Sequence, residues 1–150
     1  MIRIATEKDV ELLVDINTLS NDPVDRIIDI NDDFVTDMFE NLMKDKSAEV
    51  YLFEDKGVAV FIKEFSGFNN CEMHWLTVDE KFHRKGIATM LLNLIQKRAK
   101  ELKFRGIYLY THPLHEAGIA LYKKQGFEKI NEFPNYYTNG DTSLLFGKML

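Results

Sequence analysis

The chain has 150 residues and a formal net charge of −5, with 45% hydrophobic and 29% charged residues. This length and mixture are typical of one folded domain, so we expect a single domain over residues 1–150 and exclude a disordered or fibrous protein. The acidic balance, without a basic stripe, excludes a typical nucleic-acid binder, and no apolar run approaches the ~18 residues of a membrane span. The first residues do not resemble a secretion signal, so we expect a cytoplasmic protein without membrane contact.

The first half of the chain is acidic and mainly helical. Residues 2–4 alternate like an edge strand, and Thr6 is a natural N-cap for a first helix. An irregular, aspartate-rich passage follows around residues 21–23, and the apolar spacing predicts a second helix over residues 34–43. Residues 7–40 contain eleven acidic side chains against two basic ones. These acidic side chains either attract a cationic substrate or form a solvated helix face.

From residue 49 the hydrophobic period changes to that of strands. Residues 50–53 and 58–62 predict a hairpin with a glycine in its loop, and residues 72–78 predict a third strand. Residues 86–102 then predict the longest helix of the chain. Its predicted apolar face consists of Ile87, Met90, Leu91, Leu94, Ile95 and Leu102.

The remaining predicted elements are shorter. They are a strand over residues 107–110, a helix over residues 114–124 that ends in a left-handed cap at Gly126, and strands over residues 127–130 and 143–146. This order predicts an α/β fold in which a mixed sheet of about six to seven strands is flanked by about four helices.

A basic turn before the long helix carries the clearest chemical signal in the sequence. It consists of Arg84, Lys85 and Gly86. The first N–H groups of a helix have no partner within the helix and carry the positive end of its dipole, so a pyrophosphate can bind there, and Gly86 allows a close approach. The glycine-rich dinucleotide motif and the glycine-lysine nucleotide loop are both absent. The alternative interpretation is that Arg84 and Lys85 are an ordinary pair of surface charges without a binding role.

Two motifs resemble those of the GNAT superfamily of acetyltransferases. Residues 83–88, His-Arg-Lys-Gly-Ile-Ala, resemble its coenzyme A signature, Gln/Arg-x-x-Gly-x-Gly/Ala, with His83 as the departure. Residues 115–127 resemble the family's second coenzyme-proximal helix, with His115 where Asn is usual. The resemblance implies the GNAT fold and the transfer of an acetyl group from acetyl-coenzyme A to a primary amine, by direct attack in a ternary complex.

The resemblance also implies roles for individual residues. Tyr122 is the acid that protonates the departing thiolate, and the candidate base is Glu72 or His74, with a water relay as the alternative. A backbone N–H near residues 76–78, where the third strand splays from its neighbour, polarises the thioester carbonyl. No residue is assigned to a metal. The implied cofactor contacts are Leu76, Thr77, Val78, His83, Arg84, Lys85, Gly86, Ile87, Ala88, Thr89, His115 and Tyr122.

The acceptor is left open between a protein N-terminus, a lysine side chain and a small cationic amine. Residues 135–141, with Tyr136 and Tyr137, are similar to the tail of ribosomal-protein N-terminal alanine acetyltransferases. The two tyrosines either line a peptide groove or form an aromatic hairpin surface. The expected partners are acetyl-coenzyme A and an amine, and homodimers are common in the family. The alternatives are a non-catalytic acyl-coenzyme A binding module and a purely structural domain.

Overall fold

Seven strands form one mixed sheet in the computed structural model, which describes residues 1–150. They lie in the order β1-β2-β3-β4-β5-β7-β6, and β4–β5 is the parallel pair. The predicted α/β fold with a mixed sheet is confirmed. The strands are β1 (Ile2–Ile4), β2 (Ala48–Phe53), β3 (Gly57–Ile62), β4 (Asn70–Val78), β5 (Gly106–Thr111), β6 (Glu128–Phe133) and β7 (Ser143–Met149).

The α-helices are α1 (Val10–Leu19), α2 (Pro23–Ile27), α3 (Asp32–Lys44), α4 (Ile87–Glu101) and α5 (Glu116–Lys124). The sequence predicted four, and the additional one is α2, in the passage predicted to be irregular. Asp22 caps it by accepting a hydrogen bond from the Val24 N–H at 3.0 Å, and Pro23 lies in its first turn. A five-residue helix is too short to show a hydrophobic period, which explains the error. None of the helices has both the length and the apolar character needed to cross a bilayer.

The sheet has a hydrophobic core on each face. On one face α1 and α3 bury Leu13 and Phe39 against the strands, and on the other α4 buries Leu91 and Ile95. The predicted apolar face of α4 is wrong at Met90, which is 41% exposed. The side of the helix that packs on the sheet includes Leu91 but is turned away from Met90. It is also wrong at Leu102, which follows the helix as its C-cap and is 37% exposed.

Strands β4 and β5 separate after a short paired segment. Their pairing runs from Asn70 opposite Gly106 to Glu72 opposite Tyr108, yet β4 continues to Val78. The β3–β4 register also shifts, since Val60 lies opposite Trp75 but Phe61 lies opposite Met73, which leaves His74 as an extra residue. The splay implied by the resemblance is therefore present. It opens a cleft between the ends of two parallel strands, which lie at the same edge of the sheet.

Candidate functional site

A cleft of about 1180 Å³ lies between the separated ends of β4 and β5. Its walls are the α1–α2 segment, β4, the start of α4, the end of β5 and the start of α5. Of the predicted site residues, Lys85 alone is not part of the lining, since it lies on the exposed outer side of the turn. The cleft brings together Glu72, His74, Leu76, Thr77, Val78, His83, Arg84, Gly86, Ile87, Ala88, Thr89, His115 and Tyr122.

Gly86 forms an open cradle at the start of α4. It is the N-cap residue with φ +80°, and a Cβ added there would meet no heavy atom within 4 Å. The first turn of α4 contains no acidic side chain. An anion can therefore approach the free N–H groups of that turn without steric or charge opposition, and the residues present fit the phosphate end of coenzyme A.

The turn before α4 is held by its own side chains. His83 donates a hydrogen bond from Nε2 to the Val78 carbonyl at 2.8 Å, and the buried Asp79 accepts one from the Lys81 N–H at 3.0 Å. At His83, where the family signature has Gln or Arg, this chain thus has a side chain that links β4 to the start of α4. The position of the Gly86 cradle relative to β4 depends on that link.

Tyr122, on α5, is 8% exposed, and its hydroxyl makes no hydrogen bond within the chain. Since no fully enclosed polar side-chain atom lacks a partner, this hydroxyl is open to the cleft that Tyr122 lines. Burial, together with the charge of Asp22, raises the pKa of Tyr122 above its ordinary value. The group therefore stays protonated at neutral pH and has a proton to donate.

His115 links the two walls of the cleft. Its Nε2 lies 2.6 Å from Asp22 Oδ2, and its Nδ1 lies 3.3 Å from Thr111 Oγ1. Burial opposes ionisation of Asp22, but the hydrogen bond and charge of His115, together with the Val24 N–H, outweigh it and hold the pKa of Asp22 below its ordinary value. Although His115 lines the cleft as predicted, both of its ring nitrogens already have partners within the chain.

Glu72 and His74 form a pair at the narrow end of the cleft, with Glu72 Oε2 2.9 Å from His74 Nδ1. An aromatic wall lies beside them, where the rings of Tyr110 and Tyr136 stack at 5.2 Å. Burial, and then the charge of Glu72, raises the pKa of Tyr110. Tyr136 and Tyr137 both line the cleft, so the tail contributes to its wall.

Sequence reasoning missed a buried histidine that holds this tail. His112 is 3% exposed, its Nδ1 accepts a hydrogen bond from the Leu114 N–H, and its Nε2 donates to Asp141 Oδ2 at 2.7 Å. The His112 ring also packs against Tyr137 at 5.2 Å. Because the Nδ1 lone pair is occupied, His112 positions the tail and does not serve as a base. No local pattern in the sequence indicated this contact.

Sequence reasoning also missed two aspartates, Asp22 and Asp25, which line the cleft opposite β4. The only signals were the acidic excess of the first half and the Asp-Pro pair that begins α2. Burial and the charge of Asp22 raise the pKa of Asp25 to about 6. The described chain contains no group of three or more His, Cys, Asp or Glu side chains that could hold a metal ion.

Known proteins resemble this chain in sequence and in fold. An N-alpha-acetyltransferase of Saccharolobus solfataricus is 36% identical over 76 residues, which cover 50% of this chain and 46% of that protein. The matched region spans less than half the length of each curated relative.

Two solved structures share the fold over nearly the whole chain. Ard1 from Thermoplasma volcanium has a TM-score of 0.80 at 21% identity, covering 100% of this chain and 97% of that one. The ribosomal-protein-alanine N-acetyltransferase of Brucella melitensis has a TM-score of 0.77 at 23% identity, covering 100% and 99%. The model of the Acetyltransferase (GNAT) family matches residues 18–127, which include both motifs and the cleft between β4 and β5. The chain therefore belongs to the GNAT family of acetyltransferases.

Proposed function

We propose that this protein transfers an acetyl group from acetyl-coenzyme A directly to a primary amine bound in the same cleft. The observation that carries the proposal is the Tyr122 hydroxyl, which is buried, unpartnered and open to the cleft beside the splayed end of β4. A departing thiolate would supply the hydroxyl with the hydrogen-bond partner that it lacks within the chain.

The donor side of the cleft supports this proposal. Bound acetyl-coenzyme A would supply the thioester whose carbonyl carbon the amine attacks. The start of α4 at Gly86 would hold its phosphates, and a backbone N–H of Leu76 or Val78 would face its carbonyl, because β4 has no partner on its β5 side there. Tyr122 would give its proton to the sulfur, whose thiol form has an ordinary pKa of ~8.5.

The acceptor side of the cleft is acidic and aromatic. Asp22, Asp25 and Glu72 line it with Tyr110 and Tyr136, a combination that favours a cationic amine. A protein N-terminus, a lysine side chain and a small polyamine all meet this requirement. Glu72 with His74, or a water between them and the amine, is the route that the family resemblance offers for removal of the amine proton.

Calorimetric titration of the purified protein with acetyl-coenzyme A tests the first half of the proposal, and we expect micromolar binding. Release of free thiol is then followed with a peptide bearing an N-terminal alanine, with N-α-acetyl-lysine amide and with spermidine. Thiol release with one of them establishes the enzyme and its acceptor class. Binding without release would favour a non-catalytic acyl-coenzyme A module, and absence of binding would overturn the proposal.

A further inference from the structure

Asp25 has the geometry of a proton acceptor that is held in place and left open on one side. Its Oδ2 accepts a hydrogen bond from Asn17 Nδ2 at 3.2 Å, and Asn17 Oδ1 accepts one from Trp75 Nε1 at 3.2 Å. This chain of bonds ties Asp25 to β4 at the residue before the 76–78 stretch. The other carboxylate oxygen, Oδ1, has no hydrogen-bond partner within the chain.

The charged groups around Asp25 leave one of its carboxylate oxygens without a partner. Asp22, its nearest acidic neighbour, uses one oxygen for His115 and the other for the Val24 N–H. Arg26 contacts Asn21 at 3.5 Å and makes no ion pair with Asp25. Among the groups that face Asp25, which are Asp22, Arg26 and His115, none bonds to its free oxygen. A cationic ligand in the cleft would supply the missing partner.

Asp25, on α2, lies across the cleft from the leaving-group acid, on α5. Asp22, three residues before Asp25, bonds to His115 at 2.6 Å, and a Cβ added at Gly118 would contact both His115 and Tyr122, so the bridge brings α2 next to the part of α5 that carries Tyr122. Glu72 lies at the last paired position of β4 and β5, and its Oε2 is already bonded to His74 Nδ1 at 2.9 Å. Asp25 is therefore better placed than Glu72 to reach an amine beside the thioester.

We propose that Asp25 takes the proton that the acceptor ammonium must lose before attack. This inference rests on the proposed acetyl transfer. The ammonium N–H bond breaks and its proton moves to the free oxygen of Asp25. The neutral nitrogen then bonds to the carbonyl carbon, the C–S bond breaks with its electron pair on sulfur, and Tyr122 protonates the sulfur. The second proton lost by the nitrogen restores Tyr122, and Asp25 returns its own proton to solvent.

The acid–base property of Asp25 agrees with this role. Burial and the Asp22 charge raise its pKa to about 6, so the group is ionised at pH 7 and is a stronger base than an ordinary aspartate. A base whose pKa lies near the working pH is the efficient choice for proton transfer.

The test compares D25N with E72Q and with D29N, a control at an exposed aspartate outside the cleft. The probes are a peptide with an N-terminal alanine and spermidine, and kcat/KM is followed from pH 5 to pH 9.5. We expect the wild type, E72Q and D29N to share a limb that rises through about pH 6, the pKa of Asp25. D25N should lose that limb, and its kcat/KM at pH 7 should be about 100-fold lower than that of the wild type. The difference should shrink toward pH 9.5, because more of the acceptor is then already the free amine.

An unchanged limb in D25N, or its loss in E72Q instead, would overturn the inference. Failure of the proposed function is distinguishable, because the wild type would then release no thiol with any amine, whereas failure of this inference leaves wild-type turnover intact and assigns the limb to another group.

Thermal unfolding gives a second measurement that needs no acceptor. Since the pKa of Asp25 is higher in the folded chain than its ordinary 3.8, stability is lost as pH rises from 3.8 to about 6, and the full cost of ionising Asp25 is present above that. D25N should therefore melt above the wild type at pH 7.5, and this gain should vanish at pH 4, where Asp25 is protonated. A lower melting temperature for D25N at pH 7.5 would mean that Asp25 is a structural residue.

Discussion

Tyr122 and Tyr51 show how similar burial can serve different purposes. Both side chains are 8% exposed. The Tyr51 hydroxyl donates to Glu49 Oε1 at 2.6 Å, far from the cleft, whereas the Tyr122 hydroxyl has no partner and opens into the cleft. The first arrangement stabilises the fold, and the second leaves a proton available for a ligand.

Replacing each tyrosine by phenylalanine separates the contribution to catalysis from the contribution to stability. Y122F should lower turnover by ~10² through lost acid catalysis, with acetyl-coenzyme A affinity and unfolding free energy nearly unchanged, because its hydroxyl stabilises nothing in the chain. Y51F should leave turnover intact and lower the unfolding free energy by about 1–2 kcal/mol, because it removes the hydrogen bond to Glu49. Steady-state kinetics and urea unfolding measure both effects, and normal turnover in Y122F would remove Tyr122 from the mechanism.

At the scale of elements, the start of α4 combines a conformational requirement with a binding surface. Gly86 has φ +80°, which favours glycine, and the space beside it is open. Gly67, in the loop before β4, has φ +75° and equally open surroundings, but it lies outside the cleft. The chain thus provides a matched pair in which only one glycine adjoins the candidate phosphate site.

G86V and G67V should each lose about 1–2 kcal/mol of unfolding free energy, the cost of a left-handed conformation for an L-residue. Only G86V should also lose acetyl-coenzyme A binding in calorimetry, since its side chain projects into the cradle at the helix start. If G86V keeps wild-type affinity, the phosphates bind elsewhere.

At the scale of the whole molecule, the Asp22–His115 bridge joins segments that are 93 residues apart. It ties the α1–α2 segment on one face of the sheet to the start of α5, across the cleft between β4 and β5. The bridge therefore sets the width of the cleft.

A double-mutant cycle of D22N and H115N measures this bridge. Both side chains are about one-third exposed, at 30% and 31%, so solvent screening limits the expected coupling to about 0.5–1 kcal/mol at pH 7. D22N keeps a side chain that can cap α2, so the cycle measures the interaction with His115 and not the loss of the helix cap. The pKa of Asp22 is lower in the folded chain than its ordinary 3.8, so the coupling should be present above that value and be lost as pH falls through the folded pKa. A coupling of zero in urea unfolding would show that the bridge does not hold the cleft.

The sequence by itself determined the mixed sheet, the long helix after the basic turn, and the choice of Gly86 and Tyr122 as candidate site residues. These features depend on residues that are neighbours along the chain: a hydrophobic period over α4, a glycine at a helix start, a Leu-Tyr and Gly-Phe pair around α5. Local geometry follows from local sequence, so such patterns are readable without coordinates.

Only the tertiary structure decided which groups meet in the cleft. Asn17 bonds both to Asp25 and to Trp75. His115 bonds to Asp22, and His112 bonds to Asp141. These hydrogen bonds join helices, strands and loops that are far apart in the chain. The splay of β4 from β5 and the extra residue at His74 likewise depend on how three strands register against one another. The burial and the charged neighbours that raise the pKa of Asp25 exist only once α2 packs opposite β4, because electrostatic environment is a property of the folded arrangement and not of sequence spacing.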